Sequence, residues 1–187
     1  RPLRDRSIQE HYSPGSTFKT LTHIAALEEG IINENTKVVC TGGYRMGGRV
    51  FHCWKKEGHG VVDVIKALQT SCDVFYYNIG NKIDIDVIYK YATMFGMGQR
   101  SGIILPRETS GLIPNKEWKK KRTGVEWQKG ETLSCVIGQS FVNVTPLQLA
   151  MFYATLANEG KLYRPHVIKE VFSNTGQVLK RYEPELI

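Results

Sequence analysis

A serine and a lysine three positions apart are the first residues of this sequence that could carry out covalent chemistry. Ser16 and Lys19 bracket the run Ser-Thr-Phe-Lys. A helix places positions i and i+3 on one face, so the lysine amine can lie beside the serine hydroxyl. A desolvated lysine can act as the base that a weakly nucleophilic serine needs, and a helix N-terminus favours negative charge. The pair suits attack on a carbonyl. Because chance gives about one such spacing in a chain of this length, an exposed serine and lysine on a helix is the alternative.

Four further residues could bind a metal through sulfur or nitrogen. Cys40, Cys53, His59 and Cys72 are separated by 12, 5 and 12 residues. Three thiolates and one imidazole suit closed tetrahedral zinc, which would also supply folding free energy to a glycine-rich segment. A Cys40–Cys53 disulfide or free thiols are the alternatives. His52 is the main rival of His59, but its neighbour Cys53 makes ligation by both awkward.

The remaining cysteine and histidines carry weaker signals. Cys135 lies in the apolar run Leu133–Ile137 and is predicted to be buried in the core. His11, His23 and His166 are interpreted as packing or surface residues.

Two types of segment must position these side chains. Ser13–Pro14, an amphipathic run and Gly30 predict a helix that carries Ser16 in its first turn. Residues 37–60 hold six glycines without apolar periodicity, which predicts a looped insertion ordered by something other than a core. A helix is predicted from Val61 to Gln69, followed by a second helical run through Phe75 and Ile79.

The second half of the chain is predicted to contain helices and a hairpin. Asp86–Phe95 reads as a helix, and Pro106–Arg122 as a long polar connection. Thr145–Pro146 caps the clearest helix, which runs to Asn158. The last prediction is a hairpin formed by two segments, Val167–Phe172 and Gln177–Tyr182.

Composition narrows the class of protein. The 187 residues, 41% of them hydrophobic, indicate one domain over residues 1–187. The net charge of +7 is scattered, and without a recognition helix or an aromatic RNA-binding motif it indicates solvated surface and no nucleic-acid partner. No run of 18 apolar residues is present. We therefore expect any membrane anchor or export signal to lie outside this sequence.

The segment Tyr12–Lys19 resembles the sequence around the acylated serine of penicillin-binding proteins. The resemblance continues, in order, through segments that span nearly the whole chain. These segments are Trp54–Gly60, Ser71–Tyr76, Phe95–Gly96, Gly102–Ile103, Gly111, Trp118–Lys119, Gly130–Thr132, Ile137–Gln139 and Thr145–Ala150. The chain is most similar to the elongation-specific class B branch, and several ordered motifs rarely coincide by chance.

The resemblance implies a fold and an activity. The fold is the α/β (α+β) transpeptidase fold shared with serine β-lactamases, present here as a helix-rich part with an incomplete antiparallel sheet. The activity is a D,D-transpeptidase that cross-links peptidoglycan stem peptides through an acyl-enzyme on Ser16, with Lys19 as base, and that β-lactam antibiotics acylate. The implied setting is the periplasmic domain of a protein anchored in the inner membrane. Its implied partners are a membrane glycosyltransferase and scaffold proteins of the elongation machinery.

The resemblance also assigns the two later motifs of the family. Ser71-Cys72-Asp73 matches the S-x-D element, whose serine relays protons to the leaving amine, although a helix-capping serine is the alternative. The third motif, K-T-G, binds substrate and lines the oxyanion hole. Arg122-Thr123-Gly124 imitates it, but this triplet lies in a polar segment ahead of Ile137–Gln139. We therefore expect the true strand beyond Ile187, and poor activity of this segment alone.

Some members of this branch bind zinc through Asp, Asp, His and Cys. Cys40, Cys53, His59 and Cys72 resemble that set, with both aspartates replaced by cysteine and the last ligand inside the second catalytic motif. Two other functions share the serine chemistry, a serine β-lactamase and a non-catalytic β-lactam sensor. No clear E-x-x-x-N deacylation element occurs between Ser71 and Lys120, which disfavours the β-lactamase.

Overall fold

The computed structural model describes residues 4–187, which group into two compact units. The larger unit comprises residues 13–92 and 113–143, and the smaller comprises residues 4–12, 93–112 and 144–187. Every candidate catalytic and metal-ligating residue named above belongs to the larger unit.

The larger unit begins with the segment that carries Ser16. A 3₁₀ turn over Gly15–Phe18 leads directly into helix α1, Lys19–Glu28. Phe18, Leu21 and Ala25 are fully buried, so the amphipathic pattern that predicted this helix does form its core face. The predicted helix is thus present, with a tighter 3₁₀ start.

The segment 37–60, predicted as a loop, is built mainly from short strands. Strand β1 (Lys37–Cys40) pairs antiparallel with β4 (Gly60–Asp63), and β2 (Gly43–Met46) pairs with β3 (Arg49–His52). The helix predicted from Val61 is wrong at its start, because β-branched residues 61 and 62 pair in β4. Helix α2 spans Val64–Gln69 and begins directly after β4. The Asp63 side chain caps it by accepting a hydrogen bond from the Lys66 N–H.

Two glycines in this segment are required by close backbone contact. A Cβ at Gly42 would lie 1.9 Å from the carbonyl oxygen of Lys56, and one at Gly58 would lie 2.2 Å from that of Cys40. Both have positive φ, at 92° and 81°. The glycines therefore let two parts of the segment pack backbone against backbone.

Helix α3 lies at the centre of the larger unit. It spans Asp73–Lys82 and contacts α1, strand β1 and helix α6, Lys129–Cys135. Its side chains Phe75, Tyr76 and Ile79 are buried. Helix α4 comes after α3 and spans Ile85–Met94, close to the predicted bounds. The core thus fixes the start of α3, where the second motif lies.

Helix α5, Lys116–Thr123, corrects the prediction of a connection through Arg122. The Asn115 side chain caps it by accepting from the Trp118 N–H, and Gly124 ends it with φ of 72°. The pattern gave no signal because α5 is polar almost all round. Its one buried residue, Lys119, pairs with Glu131 at 2.5 Å. The triplet Arg122-Thr123-Gly124 therefore lies at the end of a helix and not in a strand, which agrees with its rejection as the K-T-G motif.

The smaller unit contains helix α7 and a hairpin. Helix α7, Pro146–Ala157, starts with the predicted cap, in which Thr145 and Gln148 exchange hydrogen bonds. Strands β5 (Glu170–Phe172) and β6 (Val178–Arg181) form the predicted hairpin with shorter strands. The sheets that the structure describes over residues 4–187 are three antiparallel pairs, consistent with the predicted incomplete sheet.

Candidate active site and metal-ligand cluster

The candidate nucleophile lies on an exposed turn whose backbone is hydrogen-bonded to a neighbouring segment. Ser16 occupies the 3₁₀ turn, whose Gly15 N–H donates to the Gly138 carbonyl oxygen at 2.9 Å. Gly138 has φ of 70°, and a Cβ there would lie 2.3 Å from the Gly15 oxygen. Position 138 must therefore be glycine for the turn to sit against it. This contact gives the Ile137–Gln139 motif a physical role.

Lys19 is almost completely buried, yet its amine has three hydrogen-bond acceptors. Nζ donates to the Ser71 carbonyl oxygen at 2.9 Å, to Ser71 Oγ at 2.8 Å and to Asp73 Oδ1 at 2.6 Å. The side chains of Lys19 and Asp73 are 1% and 13% exposed. These acceptors match the three donors of an ammonium group, which satisfies a charge that burial would otherwise penalise.

Ser71 connects this lysine to the candidate nucleophile. Its Oγ donates to Ser16 Oγ at 2.9 Å, so the predicted convergence of the two serines is confirmed. Lys19 thus reaches Ser16 through Ser71. Ser71 has φ of 52°, a strained conformation for a non-glycine residue of the kind that is found at active sites. A proton passes from Ser16 through Ser71 to a neutral Lys19 when these two hydrogen bonds run in the opposite direction. A hydroxyl allows that reversal because it both donates and accepts.

The four predicted metal ligands also converge. One ligand atom from each of Cys40, Cys53, His59 and Cys72 lies within 4.8 Å of the other three. His59 Nδ1 lies 3.6 Å from Cys40 Sγ and 3.5 Å from Cys53 Sγ. Its buried Nε2 has no hydrogen-bond partner among residues 4–187. The rival His52 is exposed and outside the cluster.

The electrostatics of the cluster differ from one thiol to the next. Burial raises the pKa of Cys72 to about 12. Burial also acts to raise the pKa of Cys40, but hydrogen bonds from the backbone N–H groups of Gly42 and His59 bring it below its usual value. Burial and the nearby Lys55 lower the pKa of His59 and favour its neutral, ligating form.

All four cysteines of the chain are free thiols in this structure. Cys135 is fully buried away from the cluster, as predicted, and burial raises its pKa to about 12. The donor set of three thiols and one imidazole, buried and within reach of one point, fits a tetrahedral zinc ion. The geometry therefore agrees with the ligand set expected from the sequence.

Comparison with known proteins identifies the family. The family model of the penicillin binding protein transpeptidase domain matches residues 1–185. The chain belongs to this family. The peptidoglycan D,D-transpeptidase MrdA of Acinetobacter baumannii is 42% identical over 171 residues, which are 90% of this chain and 25% of that protein. The chain therefore spans about a quarter of the length of this relative.

Solved structures confirm the predicted fold. The penicillin-binding protein PBP2 of Helicobacter pylori, in its complex with MreC, matches with a TM-score of 0.86 and 33% identity, over 98% of this chain and 33% of that one. A chain of a peptidoglycan synthase complex, described as coordinating polymerization and crosslinking, matches with a TM-score of 0.88 and 33% identity, over 99% and 31%. The α/β transpeptidase fold of the penicillin-binding proteins is thus the fold of this chain.

One residue of this transpeptidase domain escaped sequence analysis. The backbone N–H of Trp54 donates to Asp73 Oδ2 at 3.0 Å, while its indole Nε1 donates to the Thr70 carbonyl oxygen at 3.1 Å. The contact with Asp73 is made by the backbone, so no residue type could signal it. Only the resemblance of Trp54–Gly60 to the family marked the segment.

Proposed function

We propose that the protein containing this chain is a peptidoglycan D,D-transpeptidase whose acylated nucleophile is Ser16. The observation that carries the proposal is the continuous hydrogen-bond chain from buried Lys19 through Ser71 to Ser16. The transpeptidase name of the Acinetobacter relative supports the same activity. Within residues 4–187, no feature favours the β-lactamase or the sensor over this function.

In the first step, Ser16 Oγ attacks the carbonyl carbon of the penultimate D-Ala of a stem peptide. The serine proton passes to Ser71 Oγ, while the Ser71 proton passes to the neutral Lys19 amine. Asp73, 2.6 Å from the lysine Nζ, stabilises the ammonium that forms. The ammonium then returns a proton through Ser71 to the amine of the departing D-Ala.

In the second step, the amine of a neighbouring stem peptide attacks the acyl-enzyme. The same chain of residues accepts its proton, and Ser16 Oγ leaves with a proton returned from Ser71. A β-lactam ring would acylate Ser16 by the first step.

We also propose that Cys40, Cys53, His59 and Cys72 hold a structural zinc ion. Their convergence and their donor types support this ion over a disulfide between Cys40 and Cys53. Zinc would supply folding free energy to the glycine-rich segment 37–60, whose strands bury little apolar surface.

We infer the setting of the protein by analogy with its relatives. The H. pylori PBP2 structure contains MreC, and the second structure is a peptidoglycan synthase complex. By analogy we propose a scaffold protein and a membrane glycosyltransferase as partners, and a periplasmic position for this domain on a membrane-anchored protein. Within residues 4–187, no helix has the length and apolarity needed to span a membrane.

The test of this function is labelling of the full-length protein by a fluorescent penicillin. Ser16→Ala should abolish labelling, because the acyl bond forms on Ser16 Oγ. Ser13→Ala is the matched control, since Ser13 is an exposed serine on the same segment. Labelling that survives in Ser16→Ala would refute the assignment.

A further inference from the structure

Trp54 lies between the cysteine–histidine cluster and the catalytic hydrogen-bond chain. It follows Cys53 directly, and its indole ring meets the His59 ring edge to face with centroids 5.1 Å apart. Its backbone N–H reaches Asp73 Oδ2 at 3.0 Å. Trp54 therefore touches one ligand of the cluster and one residue of the catalytic chain.

The position of this backbone N–H is set from the cluster side. Cys53 is anchored by its own N–H, which donates to the Gly42 carbonyl oxygen at 2.9 Å. The indole adds a second anchor through its hydrogen bond to the Thr70 carbonyl oxygen. A metal held by Cys53 and His59 would fix both flanks of the tryptophan.

On the catalytic side, Asp73 is held at both carboxylate oxygens. Oδ1 binds the Lys19 amine at 2.6 Å, and Oδ2 accepts from Trp54. With both oxygens occupied, the carboxylate plane is set, and with it the direction from which Asp73 meets Lys19. Losing the Trp54 contact would free Asp73 to rotate and would leave the amine less well placed toward Ser71.

We propose that Trp54 is a positioning residue that makes acylation of Ser16 depend on the order of the cysteine–histidine cluster. The inference rests on the proposed function and goes beyond it by naming the connection. Cys72 provides the other link, since this ligand lies between Ser71 and Asp73 in the chain. The cluster is thus linked to Asp73 through Trp54 and through Cys72.

A purely structural role for the tryptophan predicts different behaviour. Trp54 is 64% exposed, so its removal opens no core cavity. Its hydrogen bonds in the structure go to Asp73 and Thr70 and not to Ser16. Removing the indole keeps the backbone N–H of residue 54 but takes away the anchor that holds it toward Asp73. It should therefore change the rate of the covalent step and leave both penicillin binding and the fold in place.

The experiment measures penicillin acylation of the full-length, zinc-loaded protein and separates the dissociation constant of the first complex from the first-order acylation constant. Trp54→Ala should lower the first-order constant about 10-fold, the lower end of what outer-shell partners of metal sites commonly contribute. Trp54→Phe keeps a ring against His59 but loses the indole donor, so it should fall between Trp54→Ala and wild type. Lys56→Ala is the control, an exposed change in the same segment.

Zinc content and thermal stability provide the readouts that do not depend on activity. Trp54→Ala should retain one zinc per chain and a wild-type melting temperature, because Trp54 contributes no ligand atom to the cluster. Zinc loss in this variant would overturn the positioning role and assign Trp54 to the metal site. An unchanged first-order constant, or a change confined to the dissociation constant, would overturn it as well.

Chelation tests the connection itself. Removing zinc should lower the first-order constant of the wild type more than that of Trp54→Ala, in which the backbone N–H of residue 54 remains but the indole that holds it in place is gone. Equal fold-changes would mean that cluster and tryptophan act independently and would overturn the inference. Failure of the proposed function would look different, because the wild-type protein would then form no acyl-enzyme at all.

Discussion

The segment that carries Ser16 and the segment that carries the cysteines are ordered by different forces. The 3₁₀ turn and helix α1 bury Phe18 and Leu21 completely. In the segment 37–63, by contrast, Val39 and Val61 are 63% and 58% exposed, although they belong to paired strands. Apolar burial therefore orders the first. The second buries Phe51 and Val62 and packs backbone against backbone at Gly42 and Gly58, and we propose that metal binding by the cysteine–histidine cluster supplies the rest.

The comparison shows why the second motif lies where it does. Residues 71–73 touch both regions, because Ser71 and Asp73 bind Lys19 while Cys72 belongs to the cluster. Asp73 is also the first residue of helix α3, which is held in place by its buried side chains. A substitution in either region should thus alter the active site. In the first region it would do so by disturbing the buried core, and in the second by disturbing the geometry of the cluster.

The largest effect should come from Lys19→Ala. An unactivated serine attacks slowly at neutral pH, so the rate of penicillin acylation should fall by about 100-fold to 10,000-fold. Stopped-flow or gel-based labelling of the full-length protein measures this rate. The control is Lys37→Ala, which removes an exposed lysine from β1. A Lys19→Ala protein that acylates near the wild-type rate would place the base elsewhere.

Ser71→Gly should separate catalysis from folding at the point where the two regions meet. Glycine accepts the positive φ of this position, so the change removes the hydroxyl without backbone strain. The acylation rate should drop about 100-fold, since the proton relay is broken. The melting temperature should stay close to that of the wild-type protein. Full labelling by Ser71→Gly would show that Lys19 acts on Ser16 without Ser71.

Removing a metal ligand should weaken the glycine-rich segment. Cys40→Ser should abolish stoichiometric zinc and lower the free energy of unfolding by about 2.7 kcal/mol when free zinc exceeds the dissociation constant a hundredfold. Cys135→Ala, outside the cluster, should retain its zinc. Metal analysis and thermal unfolding measure both. A domain that is sensitive to reductant and indifferent to chelator would support a disulfide instead.

A smaller effect should follow from Gly138→Ala, beneath the nucleophile. The new Cβ would lie 2.3 Å from the Gly15 oxygen, so the variant should lose about 1–3 kcal/mol of stability and some acylation rate. Gly124→Ala is a closely matched control, because its φ of 72° is similar and its Cβ would meet nothing within 4 Å. Equal losses in the two variants would mean that φ strain alone matters and that the contact with Gly15 does not.

Sequence patterns predicted the features that depend on residue type. Thr145–Pro146 marked the start of α7, and apolar periodicity marked α1, because capping and burial select particular side chains. The convergence of Ser16 with Ser71, and of the four cluster residues, was predicted by motif order and by ligand chemistry.

Features that depend on backbone contacts were missed. The strands within residues 37–60 are four residues long and broken by glycines, so they leave no alternation to detect. Helix α5 lacks an apolar face. Trp54 and Gly138 act through an N–H group and through the absence of a Cβ. Such roles depend on what lies opposite in space, which a single sequence does not state.

The most direct test of the account is the mass of the full-length protein after incubation with a penicillin, followed by peptide mapping of the adduct. The account predicts one penicilloyl group per chain, located on the peptide that contains Ser16, and a much slower gain of the same mass in Lys19→Ala. No adduct on the wild-type protein, or an adduct on any other residue, would contradict it.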